Sequence, residues 1–267
     1  MFLILAEPAD PVAGGVARHL PATSTVWLTP AQLVRATWTH SLDASGCWFR
    51  VRVGARTLDS REVTATLNRL RWLPVGGFGS REDGQYAAME WQALAISALA
   101  ALGEPVINRP CPPSLAGPSW SAIEWVRAAG RLGLPVRRVR ATTDGRRHPG
   151  HGDDAAGWRG WLEQDPQPAE EPRPHIPVGA RPIVWVEPVT RARSCWVVGD
   201  DLLGDHLPGD PDARALSQAA ACSLLRVDMA QRPDGSTMLT GADPFPDRVP
   251  EEVAVSCADV LRSWGSA

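Results

Sequence analysis

The 267-residue chain contains no lysine; all 27 basic residues are arginines. An abundance of Ala, Gly, Pro and Arg is the pattern a GC-rich coding sequence leaves. Arginine does not give up its proton, so Schiff-base and lysine general-base chemistry are excluded. A surplus of positive charge is also lacking. The net charge of −3 argues against a nucleic-acid footprint. Cysteine is sparse: Cys47, Cys111, Cys195, Cys222 and Cys257 are scattered and no two form a Cys-x-x-Cys pair. Zinc and thioredoxin-like motifs are therefore unsupported, and free thiols in a reducing cytoplasm are expected. No apolar run approaches membrane-spanning length. Met1 to Glu7 lacks the basic start and long apolar stretch of a signal peptide. The expectation is a cytoplasmic protein with neither membrane nor nucleic acid as partner. There are no internal repeats.

What is present is an ordinary apolar share of 44%, ample for a core, over a length that suits one large domain or two small ones. Phe2 to Ala6 reads as a buried strand and Val12 to Leu20 as a helix. Thr25 to Thr29 is a second strand, and Pro30 stands at the first position of the next helix. Strand and helix in alternation predict parallel βαβ packing. Cys47 to Val53 alternates with period two after a Ser45-Gly46 turn, the pattern of a hairpin at a sheet edge. Val63 to Arg71 contains a strand, and Gly76 to Gly79 is a loop.

The central stretch, Asp83 to Thr143, carries the most information. Gln85 to Leu102 is a helix with an apolar stripe of Met89, Ala93, Ile96 and Leu99, stopped by Gly103. Val106-Ile107-Asn108-Arg109-Pro110 follows as a short strand and turn. Ser119 to Arg131 is a helix with Ser119 as its N-cap, closed by Gly133. From Asp144 to Arg181 the chain is rich in Pro, Gly and charge, which predicts a mobile linker. A short helix around Ala155 to Gln164 is expected to dock Trp158 and Trp161. Pro182 to Glu187 is a strand, and Cys195 to Leu203 a hairpin turning at Gly199-Asp200. Asp212 to Cys222 is helical, Leu224 to Met229 and Thr237 to Leu239 are strands, and Val249 to Trp264 is a closing helix.

Taken together these segments resemble the ATP-grasp superfamily, and most resemble the peptide ligases of the microviridin type. Tyr86-Ala87-Ala88-Met89-Glu90 before Val106-Ile107-Asn108-Arg109-Pro110 is similar to their approach to an Ile-Asn-x-Pro turn. Gly130-Arg131-Leu132-Gly133-Leu134-Pro135 is similar to their Leu-Gly-Leu turn. Val184 to Val189 resembles the hinge strand that receives adenine, and Cys195 to Asp200 the hairpin after it. Val227-Asp228, Asp234-Gly235 and Asp243-Pro244-Phe245-Pro246 resemble the carboxyl-terminal metal-binding segment. The likeness implies an α/β ATP-grasp-like fold. Residues 1–110 would form a Rossmann-like pre-ATP-grasp domain, 111–143 a reduced central lobe, 144–181 the linker, and 182–267 a shortened C-terminal lobe. It implies ATP and Mg2+ as cofactors, with Glu187 and Val189 at the nucleoside and Asp228 and Asp243 at the metal.

That chemistry needs cations around the phosphates and acidic groups around magnesium. Here the resemblance breaks. Trp120 and Ser121 stand where the family has a lysine, and a second lysine has no counterpart. The arginine before the Val-Val-Gly-Asp turn is Ser194, with Arg193 one place off. The magnesium-binding glutamate falls at Thr240 or Gly241, and the asparagine is matched at best by Asp243. Two readings follow. The first is a degenerate, non-catalytic member with no cofactor, holding a peptide, a protein or a complete ATP-grasp ligase within a peptide-modification pathway. The second is an active carboxylate–amine (or hydroxyl) ligase using Arg193, Arg181, Asp228 and Asp243.

Other groups read more plainly. Gly117-Pro118-Ser119-Trp120-Ser121 lacks the last glycine of a nucleophile elbow. His148, His151, Asp153 and Asp154 are a metal-ligating set by type, but they fall in the predicted linker and read as a solvated loop; His19, His40 and His206 are isolated and expected on surfaces. Arg137, Arg138, Arg140, Arg146 and Arg147 read as a solvated strand edge. Twelve tryptophans against one tyrosine either fill the core or plug the nucleotide cleft, with Trp120, Trp125, Trp158, Trp161, Trp185 and Trp196 nearest to it.

Overall fold

The computed structural model describes residues 1–44, 46–142, 159–162, 183–187, 189, 191–206, 210–232 and 234–265. The chain opens with β1 (Phe2–Leu5), α1 (Pro11–Ala17), β2 (Thr25–Leu28) and α2 (Pro30–Arg35). Asp10 caps α1 by accepting the Ala13 N–H at 2.8 Å. Thr29 and Gln32 form a capping box at α2, with Pro30 at the position its missing N–H suits. Next come β3 (Thr37–Asp43), β4 (Gly46–Val53), β5 (Arg56–Asp59) and β6 (Ala65–Asn68), then α3 (Arg81–Ala100) and β7 (Val106–Ile107). The strand order β2-β1-β6-β7 is parallel throughout, as the βα alternation requires. The expected edge hairpin is instead a sheet of its own, β3-β4-β5, antiparallel. Thr37 to Asp43 supplies the partner strand that sequence pattern did not mark.

α3 begins at Arg81, capped by Ser80, rather than at Gln85. Its buried residues are Ala95, Ala98 and Leu99, while Met89 is 70% exposed, so the first half of the expected stripe faces solvent. The following helix, α4 (Ala122–Arg131), starts later than predicted. Its cap is Ser121, boxed with Glu124, and not Ser119.

β8 (Val139–Thr142), β9 (Arg159–Leu162) and β10 (Ile183–Val186) form a three-stranded antiparallel sheet in the order β8-β10-β9. Residues 159–162 are therefore a strand and not part of a helix; pairing with β10 wins over a four-residue local signal. Trp158 and the rest of the predicted linker lie outside the described residues.

The last region holds β11 (Arg191–Val198), β12 (Asp201–Gly204), α5 (Ala213–Ala219), β13 (Leu224–Gln231), β14 (Thr237–Asp243) and α6 (Glu251–Gly265). Its sheet is antiparallel, ordered β12-β11-β13-β14. α6 packs between this sheet and the parallel one. Val253, Ala254, Cys257, Ala258 and Leu261 meet Ile4, Ala65 and Leu67 on one side and Val198 and Leu224 on the other. A Cβ on Gly15 of α1 would lie 3.3 Å from the Ala254 Cβ, so the absent side chain sets how closely the two helices approach. α4 and α5 cover the opposite face through Trp125, Ala129 and Leu216. Trp125 is thus core, and Trp196 packs on the α6 side.

Candidate functional site

The predicted Asn-x-Pro turn sits where the parallel sheet meets the β12-β11-β13-β14 sheet. Asn108 is 2% exposed, and its side chain uses every hydrogen-bonding position it has. Oδ1 accepts the N–H groups of Ser223 and Leu224, both at 2.8 Å, and Nδ2 donates to Leu224 O at 2.8 Å and Pro244 O at 2.7 Å. Its own carbonyl accepts from Asn68 Nδ2 at 2.9 Å. The two carbonyls after Pro244 are held from the parallel-sheet side as well. Arg71 Nη2 donates to Phe245 O at 2.8 Å and Arg69 Nη2 to Pro246 O at 2.9 Å. Both guanidinium groups lie over the Phe245 ring, 3.7 and 4.2 Å from its centroid. Arg69 is buried with Asp10, 3.1 Å from Nε.

Immediately beyond this join are the two carboxylates expected at a metal. Asp228 faces Ser194 across β11 and β13, and Asp243 faces Arg226 across β13 and β14. Period-two alternation puts residues 226 and 228 on one face. All four side chains meet there. Ser194 Oγ donates to Asp228 Oδ1 at 2.6 Å. Arg226 lies 3.2 Å (Nε) and 3.3 Å (Nη2) from the Asp228 carboxylate, and its Nη2 is 3.7 Å from Asp243 Oδ2. Arginine's fork of donors suits two acceptors at once. A guanidinium therefore lies between Asp228 and Asp243. The register slips between Asp228 and Met229. The residue left over is Thr240, whose hydroxyl donates to Asp228 O at 3.0 Å.

Arg193 belongs to the other face of the same sheet. Its neighbours in parity, Cys195 and Val197, pack under α4 and α5, whereas Trp196 and Val198 pack toward α6. There Arg193 is paired with Asp210 and donates to Thr237 Oγ1 at 3.2 Å. Arg193 and Asp210 side chains are 8% and 2% exposed, so the pair is enclosed. Asp228 and Arg193 are not brought together. Arg181 lies outside the described residues, as do His148, His151, Asp153, Asp154, Arg146 and Arg147.

Glu187, the expected ribose contact, is buried at the end of β10. Oε2 accepts the Arg138 N–H at 3.2 Å and lies 3.5 Å from Arg138 Nε; Oε1 lies 3.5 Å from Arg232 Nε. Arg137 Nε donates to the Glu187 carbonyl. Burial works to raise this carboxyl, but the Arg138 N–H and the Arg232 and Arg138 guanidiniums outweigh it, and the group is lowered. Val189 is half-buried beside it. At the expected solvated strand edge, Arg138 keeps 62% of its side chain exposed while both it and Arg137 also reach Glu187. Arg226 is the participant that sequence reading passed over; Ser194 is noted there only for standing in an arginine's place, and Arg138 only as part of a strand edge. The signal for Arg226 was available: it stands two residues before Asp228, on the same strand face. Among the described residues no group of three or more His, Cys, Asp or Glu is placed to hold a metal ion.

No family model matches the chain, and no curated protein matches its sequence. Solved structures do match its backbone. The macrocyclase MdnC from Microcystis aeruginosa MRC, bound with precursor peptide MdnA, aligns over 98% of this chain and 100% of its own, with TM-score 0.73 and 13% identity. The ATP-grasp ligase PsnB complexed with a minimal precursor aligns over 98% of each chain, with TM-score 0.74 and 13% identity. A Chryseobacterium gregarium RiPP-associated ATP-grasp ligase in complex with ADP and a leader and core peptide covers 98% of this chain and 96% of that one, with TM-score 0.67 and 10% identity. The chain therefore has an ATP-grasp-like fold along nearly its whole length, the fold it shares with these macrocyclase and ligase structures.

Proposed function

We propose that this chain is a non-catalytic ATP-grasp-like protein that binds a peptide or protein partner in a peptide-modification pathway. The observation that carries the reading is Arg226. Its guanidinium stands between Asp228 and Asp243, the two carboxylates that would otherwise hold magnesium, and supplies a positive charge there. The remaining candidates are engaged in the same manner, Arg193 by Asp210 and Glu187 by Arg138 and Arg232. In each case a guanidinium already answers the charge that a metal-bound triphosphate would need, and for the enclosed Arg193–Asp210 pair separation is also costly. Phosphoryl transfer depends on positioned cations and metal, and these side chains are engaged with one another instead. The three structures named above contain precursor or leader and core peptides, which supports a peptide as the occupant.

The test is a titration with ATP and Mg2+, followed by tryptophan fluorescence and by phosphate release. No saturable signal below about 1 mM is expected, the upper end of ordinary substrate affinities. Micromolar affinity with phosphate release refutes the proposal and establishes the ligase reading. A leader peptide of the kind held by the matched ligases, titrated by calorimetry without nucleotide, is expected to bind.

A further inference from the structure

Away from the cleft, the β3–β4 hairpin and α3 bring together a thiol, an imidazole and a hydroxyl. Register pairs Leu42 with Cys47 and His40 with Phe49, so His40 and Cys47 share the face turned to α3. His40 Nδ1 lies 3.1 Å from the carbonyl of Trp48, and a carbonyl only accepts. Nδ1 therefore carries the proton and Nε2 presents its lone pair. That lone pair meets Ser97 Oγ at 2.8 Å and Cys47 Sγ at 3.8 Å. A base held by a third group and within reach of a nucleophile is the arrangement that activates one. The thiol is the better nucleophile of the two donors, because Ser97 is a simple alcohol. Leu42 opposite Cys47 is 68% exposed and Cys47 itself is only half-buried, so small molecules reach this face.

The other four cysteines differ. Burial pushes Cys195, Cys222 and Cys257 up to about 12, where thiolate is scarce. Burial raises Cys111 as well, and its Sγ is engaged with Gly117 O at 3.3 Å.

We infer that Cys47 is a base-assisted thiol and the site at which small electrophiles such as hydrogen peroxide modify this chain. Sγ attacks one peroxide oxygen while its proton passes to His40 Nε2. The O–O bond breaks, the departing hydroxide takes that proton and leaves as water, and a sulfenic acid remains. Ser97 competes for the same lone pair and so moderates the reaction.

The full-length protein is treated with hydrogen peroxide and dimedone at neutral pH, and labelled cysteines are mapped by mass spectrometry over time. Cys47 is expected to label first. His40→Gln is expected to slow it by about a hundredfold, the low end of what a positioned base contributes. Ser97→Ala, which frees Nε2, is expected to label faster than the parent. A merely structural histidine predicts no such gain. Labelling of Cys111 at the pace of Cys47, or an unchanged rate in folded His40→Gln, overturns the inference. If His40→Gln does not fold, Ser97→Ala decides: a rate no faster than the parent overturns it.

Discussion

The polar group around Asn108 and the one around Arg226 adjoin each other on the same sheet. Asn108 bonds the backbone at Leu224 and Pro244, while Arg226 and Asp243 form the next cross-strand pair. Asn108 is 2% exposed with four partners for its amide, all backbone. Arg226, Asp228 and Asp243 keep about a third of their side-chain surface in water and partner one another. The first group holds two sheets together. The second only balances charge. The difference is that a neutral amide among fixed backbone groups has one arrangement, whereas exposed ions re-pair at little cost.

Removing Asn108 is the strongest way to break this contrast. Asn108→Ala leaves two N–H and two C=O groups buried without partners, and a loss of about 4 kcal/mol is expected in urea unfolding, from 1–3 kcal/mol for each orphaned group that water cannot reach. Asn108→Asp should lose nearly as much, because a carboxylate cannot donate to Leu224 O and Pro244 O. Arg69→Met tests the neighbouring clamp. It strands Asp10, which is 10% exposed, and a loss of about 3 kcal/mol is expected for a broken enclosed pair.

A third polar group sharpens the contrast through pH. Asp59 receives Arg61 at 2.6 Å and Arg50 at 2.9 Å. The Arg61 hydrogen bond, against the opposing pull of burial, holds its carboxyl below the usual carboxylate range. Its folded value is lowered, so its contribution is present above about pH 4, the unfolded value, and fades as pH falls toward the folded one. Asp59→Asn is expected to lower stability at pH 7 and to flatten its decline below pH 4, read from thermal midpoints across the acid range.

The smallest expected effect on stability is at Arg226. Arg226→Ala should cost no more than about 1 kcal/mol, the range of exposed pairs. It also leaves Asp228 and Asp243 without their cation. A weak response to Mn2+ or Tb3+ near 1 mM is expected, the weak end for carboxylate sites, and none in the parent chain. A parent that binds these ions as well as the variant removes the contrast altogether.

Much of the architecture was legible before any coordinates. Phe2 to Leu5 and Thr25 to Leu28 are apolar runs ended by helix starts, and Thr29-Pro30 with Gln32 spells out a cap. β3 and β9 were not legible as strands, because Thr37 to Asp43 and Arg159 to Leu162 owe their conformation to partners. Asn108 was marked for its place in a motif, but its function depends on Leu224 and Pro244, far along the chain. The separation of Arg193 from Asp228 follows from strand parity. It became readable only once the pairing of Ser194 with Asp228 was known. The guanidinium at Asp228 is legible in part, since Arg226 shares its strand face, but its approach to Asp243 depends on the β13–β14 pairing.

Three successive carbonyls, at Pro244, Phe245 and Pro246, are gripped by side chains from the amino-terminal sheet. A join riveted in this way is stiff: a load placed on the carboxyl-terminal sheet is carried straight into the amino-terminal one, with little slack at the seam to absorb it.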